Sequence, residues 1–448
     1  MHIKAMNFKG LPHRRAFSLA WPMILSNISA PLMGIADTAM LGHLENPQYL
    51  GAVAIGANIM AFLLWMFAFL RMGTTSFVGR ALGANDSALL QQQFGQSMLL
   101  ALACGLLLIV LQWLLVPFAI ALMAPDPVIA ELAARYCHIR ITAAPFAFVT
   151  FVAIGLLIGL QNSRLPLVIT VLANALNILL DYLFIVRFGW SSDGAAYATL
   201  IAEVVGGLLA IWVVRHALRK HLGSLLSWPG WSKLLHLPDW AALLKLNGDL
   251  FFRTALLLFI FNFFTAQSGQ LGPTVLAANA ILMQLVLLQS FGLDGYAHAV
   301  EAMGAEALGA KNQRAFLRAC AASSVAAATL ATGLALIFLV SKHLLIALFT
   351  DITPVAEIVS QHFHWLVVFP LVSVWTYILD GIFIGAGKTR VMLKTMLAAV
   401  FLGFFPLWWL TQGSLNHGLW FSFVIFNAIR GATLGSAFYT HSVRHKWF

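Results

Sequence analysis

Charge is scarce in this sequence. Only 9% of its 448 residues are Asp, Glu, Lys or Arg, and just 16 are acids, where a soluble domain carries about 25% charged residues. That scarcity excludes a water-soluble globular fold. Cysteine is sparser still: Cys104, Cys137 and Cys320 stand singly in apolar runs, which excludes a disulfide framework and offers no metal-ligand spacing. The fourteen histidines form no metal-ligand cluster, and no nucleophile stands with its base. The expectation is a protein that is not an enzyme and holds no cofactor.

What is abundant is apolar length, with 61% of residues hydrophobic. Runs near or above the roughly 18–20 residues that cross a bilayer recur along the whole chain. They fall at about 14–42, 49–79, 89–116, 127–159, 164–187, 194–218, 240–268, 274–308, 314–340, 354–386, 391–411 and 417–440. The expected fold is therefore an all-α polytopic membrane protein with twelve transmembrane helices. Basic residues precede the first run as in a signal peptide. That run nonetheless continues to about Leu41 without a small-residue cleavage pattern, so it reads as a retained helix.

The net charge of +10 is spread over short loops and does not form a nucleic-acid footprint. Arg80, Arg164, Arg219, Lys220, Lys311, Lys388 and Arg390 fall on the side of the termini, whereas the opposite side has little beyond Arg187 and Lys342. This bias predicts cytoplasmic termini. The one long connection, with Trp228, Trp231 and Trp240, reads as an interfacial linker. The expected organisation is an N-lobe over 1–218, a linker over 219–239 and a C-lobe over 240–448.

At a constant offset of 226 the chain resembles itself three times: LGAVAI at 50–55 with LAANAI at 276–281, GRALGAND at 79–86 with AEALGAKN at 305–312, and GLLIGLQNSR at 155–164 with GIFIGAGKTR at 381–390. Six helices per half predict two bundles related by a pseudo-two-fold axis along the membrane normal, a transporter signature. The repeat also shows what symmetry does not require. Asp37 faces Phe263, Asn177 faces Gly403, and Asp181 faces Leu407.

Asp37 lies six residues before His43, Asp181 six before Arg187, and Thr199 six after Asp193. At about 1.5 Å per residue, all three lie roughly 9 Å below the outer boundary. Asn177 is one turn from Asp181 on the same helix face. A charged Asp deep in a bilayer costs about 2.5–3.5 kcal/mol, and two together need a proton or a cation between them. The cluster therefore takes either a proton or a hard cation such as Na⁺ through its oxygens. Met33, Asn174 and Glu203 lie about one turn away and are candidates for lining a cavity. Pro22, with Gly34 beyond it, is a candidate hinge in helix one.

On these residues the chain resembles the multidrug and toxic compound extrusion (MATE) family. The resemblance rests on GIADTAMLGH after the Pro-containing first helix, GLQNSRLPLVITVLANALNILLDYLF across helices four and five, and GAAYATLIAE in helix six. It covers essentially the whole chain and is most like the DinF branch. It implies secondary efflux of amphipathic, often cationic drugs by alternating access in a bacterial cytoplasmic (inner) membrane. Asp37 matches a proton-coupling acid of the family, and Asn177, Asp181 and Thr199 match its N-lobe ion site. A C-lobe cation site of the NorM branch would use Asp380, yet Arg253 stands about where its second acid belongs. Asp249 is the other candidate partner for Arg253. The coupling ion expected is H⁺, with Na⁺ as the alternative, and the expected partners are small-molecule drugs and membrane lipids around a monomer.

GAGKTR at 385–390 lacks the first glycine of a phosphate-binding loop, which falls at Ile382, and its twin GLQNSR marks it as a helix end. Gly155/Gly159 and Gly381/Gly385 have the spacing of close helix contacts. His298, near Glu301 and Asp294, reads as a satisfied group within the bundle rather than as a member of a functional polar network. A lipid-linked precursor flippase of related architecture is the competing function. The polar residues singled out are mostly acidic, which argues against it.

Overall fold

A computed structural model describes residues 11–41, 47–123, 126–223, 230–444 and 447. Among the described residues the fold is all-helical, with eleven helices long and apolar enough to cross a membrane, and twelve when the one bent pair is taken as a single span. Each of the twelve expected runs coincides with one of them. The fourth is corrected in shape. It is not one helix but two, α5 (Pro127–Ile141) and α6 (Ala144–Gly159), meeting at 53°. Pro145 opens α6, and its ring and missing N–H stop the preceding helix from continuing. The corner is packed against α4 (Ser87–Met123), where a Cβ on Gly105 would come within 2.5 Å of Pro145 Cα. In the second half, α14 (Thr353–Gly385) keeps Pro370 inside an unbroken helix.

The 226-residue repeat is written in the backbone as well as in the letters. Asn85 and Lys311 both turn through the left-handed region, at φ 53° and 52°, and so do Gln161 and Gly387, at 63° and 65°. Asp86 accepts from the Leu89 N–H at 2.9 Å, and Asn312 accepts from the Ala315 N–H at 3.0 Å. Each is a side-chain oxygen capping the next helix start. The helix contacts repeat too. A Cβ on Gly155 would lie 2.5 Å from the carbonyl oxygen of Arg71, and one on Gly381 would lie 2.4 Å from that of Ala297. Small residues at such positions let backbones approach directly. We expect Gly381→Ala to lower stability by about 1–3 kcal/mol through overpacking, seen as a fall in melting temperature in detergent. Gly435→Ala, whose Cβ would meet only Leu379 Cδ1 at 3.8 Å, serves as the neutral comparison.

Packing divides the chain into two compact units. One runs up to Ile24 and resumes from Gly248; the other is Leu25–Asn247. These limits differ from lobes drawn at 218 and 240, and local contacts explain why. In α1 (His13–Leu41), Arg15 forms an ion pair with Glu306, and Ala20 and Ile24 crowd Gly295, which ties the start of the helix to the later unit. Asn247, in α10 (Leu237–Gln270), packs its side chain onto Gly73, so the beginning of α10 belongs with the earlier one. Residues 224–229 of the expected linker and His43 lie outside the described residues. Trp240 donates to the Leu234 carbonyl at 2.7 Å.

Candidate functional site

Four residues on three helices of the earlier unit meet in its interior. α7 (Arg164–Asp181) brings Asn177 and Asp181, both fully buried, and α8 (Ser191–Leu222) brings Thr199. Asn177 Nδ2 donates to Thr199 Oγ1 at 3.2 Å, and Thr199 donates to the Ala195 carbonyl at 2.9 Å. From α1 comes Asp37, 9% exposed, whose carboxyl lies within hydrogen-bonding reach of the Asp181 carboxyl. Directly after Asp181 the helix widens into a π turn at Tyr182–Arg187, a distortion common at functional sites.

No donor reaches Asp37 Oδ1, either oxygen of Asp181, or Asn177 Oδ1. Four acceptor oxygens on these neighbouring residues are thus buried away from the solvent surface. Buried acceptors left this way are expensive, and two facing carboxylates repel unless a proton or cation lies between them.

The structure adds a cation that the search for acids overlooked. Arg140, on α5, is buried and donates through Nη2 to Glu203 Oε1 at 2.7 Å and through Nη1 to Tyr136 OH at 3.3 Å. It is close enough to act electrostatically on both Asp37 and Asp181. Tyr136 is wedged against Gly56, where a Cβ would lie 2.4 Å from its ring. Glu203, expected to line a cavity, is the ion-pair partner of Arg140, with its side chain 21% exposed. A charged residue inside a span is a functional candidate by default, and that rule applied to HIRITAAP would have found Arg140.

The remaining expected residues fall nearby or elsewhere. Asn174 donates to Ser29 Oγ at 3.0 Å, joining α7 to α1. Met33 is half-buried and Gly34 exposed, with nothing within 4 Å of an added Cβ. Pro22 is buried within α1, two residues before the boundary of the units at Ile24.

In the later unit Arg253 pairs with Asp380, not with Asp249, which accepts from Thr389 Oγ1 at 3.2 Å. A second arginine joins them: Arg430 Nη2 donates to Asp380 Oδ2 at 2.8 Å. One carboxylate held by two guanidiniums is the reverse of three carboxyls around Arg140. Where the repeat would place Asp37, Phe263 stacks edge-on against Trp408 at 4.9 Å and Phe405 at 5.2 Å. The counterpart of Glu203 is Ile429, which fills the space beside Gly403. His298 Nδ1 lies 3.5 Å from Glu301 Oε2 and makes no hydrogen bond.

With this geometry in place, comparison with known proteins is decisive. The MatE family model matches residues 22–183 and 250–409. The chain belongs to the MATE family. It is 35% identical over 453 residues to DNA damage-inducible protein F of Escherichia coli (strain K12), covering 100% of this chain and 96% of that protein. A probable multidrug resistance protein NorM from Mesorhizobium japonicum is 25% identical, over 76% of this chain and 73% of its own length. Among solved structures, the MATE transporter VcmN of Vibrio cholerae superposes with TM-score 0.86 at 21% identity, over 97% of both chains. A MATE structure described as the bent conformation gives 0.85 at 19% identity, over 98% of this chain and 97% of its own. One described as the straight conformation gives 0.86 at 20%, over 98% of both. The protein is thus a multi-pass MATE chain of a multidrug efflux family, and the two stretches matched by the family model are the two copies of its repeat.

Proposed function

We propose that this MATE protein exports amphipathic, cationic small molecules in exchange for protons by alternating access, with Asp37 and Asp181 as the coupling pair. One observation carries the reading: two buried carboxyls face one another with oxygens that no donor satisfies. A proton shared there removes the repulsion, and its loss creates negative charge that a cationic drug answers. The nearby Arg140 competes with Na⁺ for the same oxygens. In the other unit Asp380 is already saturated by Arg253 and Arg430. Both facts favour H⁺ over Na⁺ as the coupling ion. The positive-inside bias supports cytoplasmic termini, and the bacterial relative supports an inner-membrane location.

The test is efflux of tetraphenylphosphonium from proteoliposomes under an imposed proton gradient or an imposed Na⁺ gradient. The proton gradient alone is expected to drive it; export that needs Na⁺ would replace the coupling ion. The bend in helix one belongs to the same reading. Pro22 removes a backbone hydrogen bond just where helix one passes between packing units, so Pro22→Ala is expected to slow turnover about tenfold, equivalent to ~1.4 kcal/mol in the barrier. Unchanged turnover would take the hinge out of the mechanism.

A further inference from the structure

We propose that Arg140 is a partner-switching cation that links the acid pair to a second, substrate-binding carboxylate, Glu203. The inference rests on the proton-coupled reading above and names the group that takes the drug's charge. It follows from counting charges in a closed space. Three carboxyls act on a single guanidinium, Glu203 by direct contact and Asp37 and Asp181 electrostatically. In the structure Arg140 is committed to Glu203 at 2.7 Å, while its Nε and Glu203 Oε2 are buried without partners. Arg140 therefore has an unused donor and Glu203 an unused acceptor.

Among the described residues no other charge enters this cluster. α5 packs against α2 (Pro47–Met66), α4 and α8. α2 and α4 have no charged residue, and neither does α6, which packs on α4 and α8. On α8, Asp193 is held by Arg135 at 2.7 Å, and the basic residues Arg215, Arg219 and Lys220 come three turns or more after Glu203. The remaining titratable groups on α5 facing its neighbours are Tyr136, already bound to Arg140, Cys137, whose thiol meets the Gly56 carbonyl at 3.6 Å, and His138, paired with Gln112 at 3.0 Å. Asp37 on α1 and Asp181 on α7 complete the set.

The sequence of states is then dictated by electrostatics. While the acid pair shares a proton it carries a single negative charge, no more than Glu203, and the guanidinium stays with Glu203 at 2.7 Å, so Glu203 is not free for a drug. When the pair gives up its proton, two carboxylates draw the guanidinium away, and Glu203 is left exposed to a positively charged, amphipathic substrate. Proton and drug thus exclude one another without sharing a binding atom. Tyr136, fixed against Gly56, is the pivot that holds Arg140 through either contact. The second half of the repeat has Leu366 in place of Arg140 and Ile429 in place of Glu203, so the device belongs to one unit alone.

The test is a double-mutant cycle on the full-length protein in detergent, reading the dissociation constant of tetraphenylphosphonium at pH 8 by titration calorimetry. Glu203→Gln is expected to weaken binding at least about tenfold. Asp37→Asn, which mimics the protonated pair, is expected to weaken it similarly in the wild-type background. In an Arg140→Gln background it is expected to have no effect, because the intermediary is gone. An Asp37→Asn effect of equal size in both backgrounds would overturn the switch and make Asp37 a direct drug ligand. Wild-type affinity in Glu203→Gln would overturn the role of Glu203. Arg140→Lys, which keeps the charge, covers the case in which Arg140→Gln fails to fold: it is expected to retain the Asp37→Asn effect, and its loss there contradicts a charge-borne switch. Proton-driven efflux measured in parallel separates the two levels. If Asp37→Asn still couples drug to protons, the Asp37–Asp181 coupling pair of the proposed function fails; if coupling is lost but the cycle is additive, only the switch does.

Discussion

Asp37→Asn is expected to abolish the drug gradient that the protein builds from a proton gradient. The substitution keeps the shape and removes the ionisable group. At one-to-one exchange, a pH difference of one unit is equivalent to about 1.4 kcal/mol, which sustains a drug gradient of about tenfold. Without a titrating partner for Asp181 that gradient is expected to collapse to the level of protein-free vesicles. Asp181 is then a lone carboxyl beside an amide and near Arg140, and the repulsion that made proton release responsive to the drug is gone. Tetraphenylphosphonium accumulation in proteoliposomes measures it. A gradient preserved in the variant would move coupling to Asp181 alone.

The second large effect is on stability. Removing the Asp380 carboxylate by Asp380→Ala strands Arg253 and Arg430, both buried. Breaking a buried ion network by deleting its shared partner costs about 3–5 kcal/mol. The expected result is a large fall in the detergent melting temperature, on top of any change in transport. Replacing all three residues by apolar ones is expected to cost less than Asp380→Ala alone, because no charge is then left unpaired. The wild-type melting temperature is expected to be indifferent to Na⁺ against an equal concentration of K⁺. A triple replacement as damaging as the single one, or stabilisation specific to Na⁺, would show Asp380 to be a binding group rather than an anchor of packing.

The spans and the repeat were legible because a bilayer imposes a length and a charge rule on every helix. The repeat proved deeper than its letters: left-handed turns, caps and glycine contacts recur at the same 226-residue offset. Depth along the helices also placed Asp37, Asn177, Asp181 and Thr199 near one another. Other features were hidden for specific reasons. The break between α5 and α6 depends on how Pro145 packs against Gly105, and α14 carries Pro370 without breaking, so proline alone does not decide. Arg140 and Arg430 were overlooked because basic residues were read as loop markers, although both lie inside apolar runs. The partner of Arg253 is a matter of side-chain direction between helices far apart in sequence, with Asp380 and Asp249 equally available on paper. The division of α1 after Ile24 is likewise a packing outcome, set by contacts with Gly295 and Glu306.

The most direct test of the central claim is proton release itself. The purified protein, in lightly buffered detergent solution without Na⁺, is mixed with excess tetraphenylphosphonium while a pH indicator is followed. Acidification stoichiometric with bound drug, absent in Asp37→Asn, is the predicted result. Drug binding with no acidification, or acidification undiminished in Asp37→Asn, would contradict a proton held between Asp37 and Asp181 and exchanged for the drug.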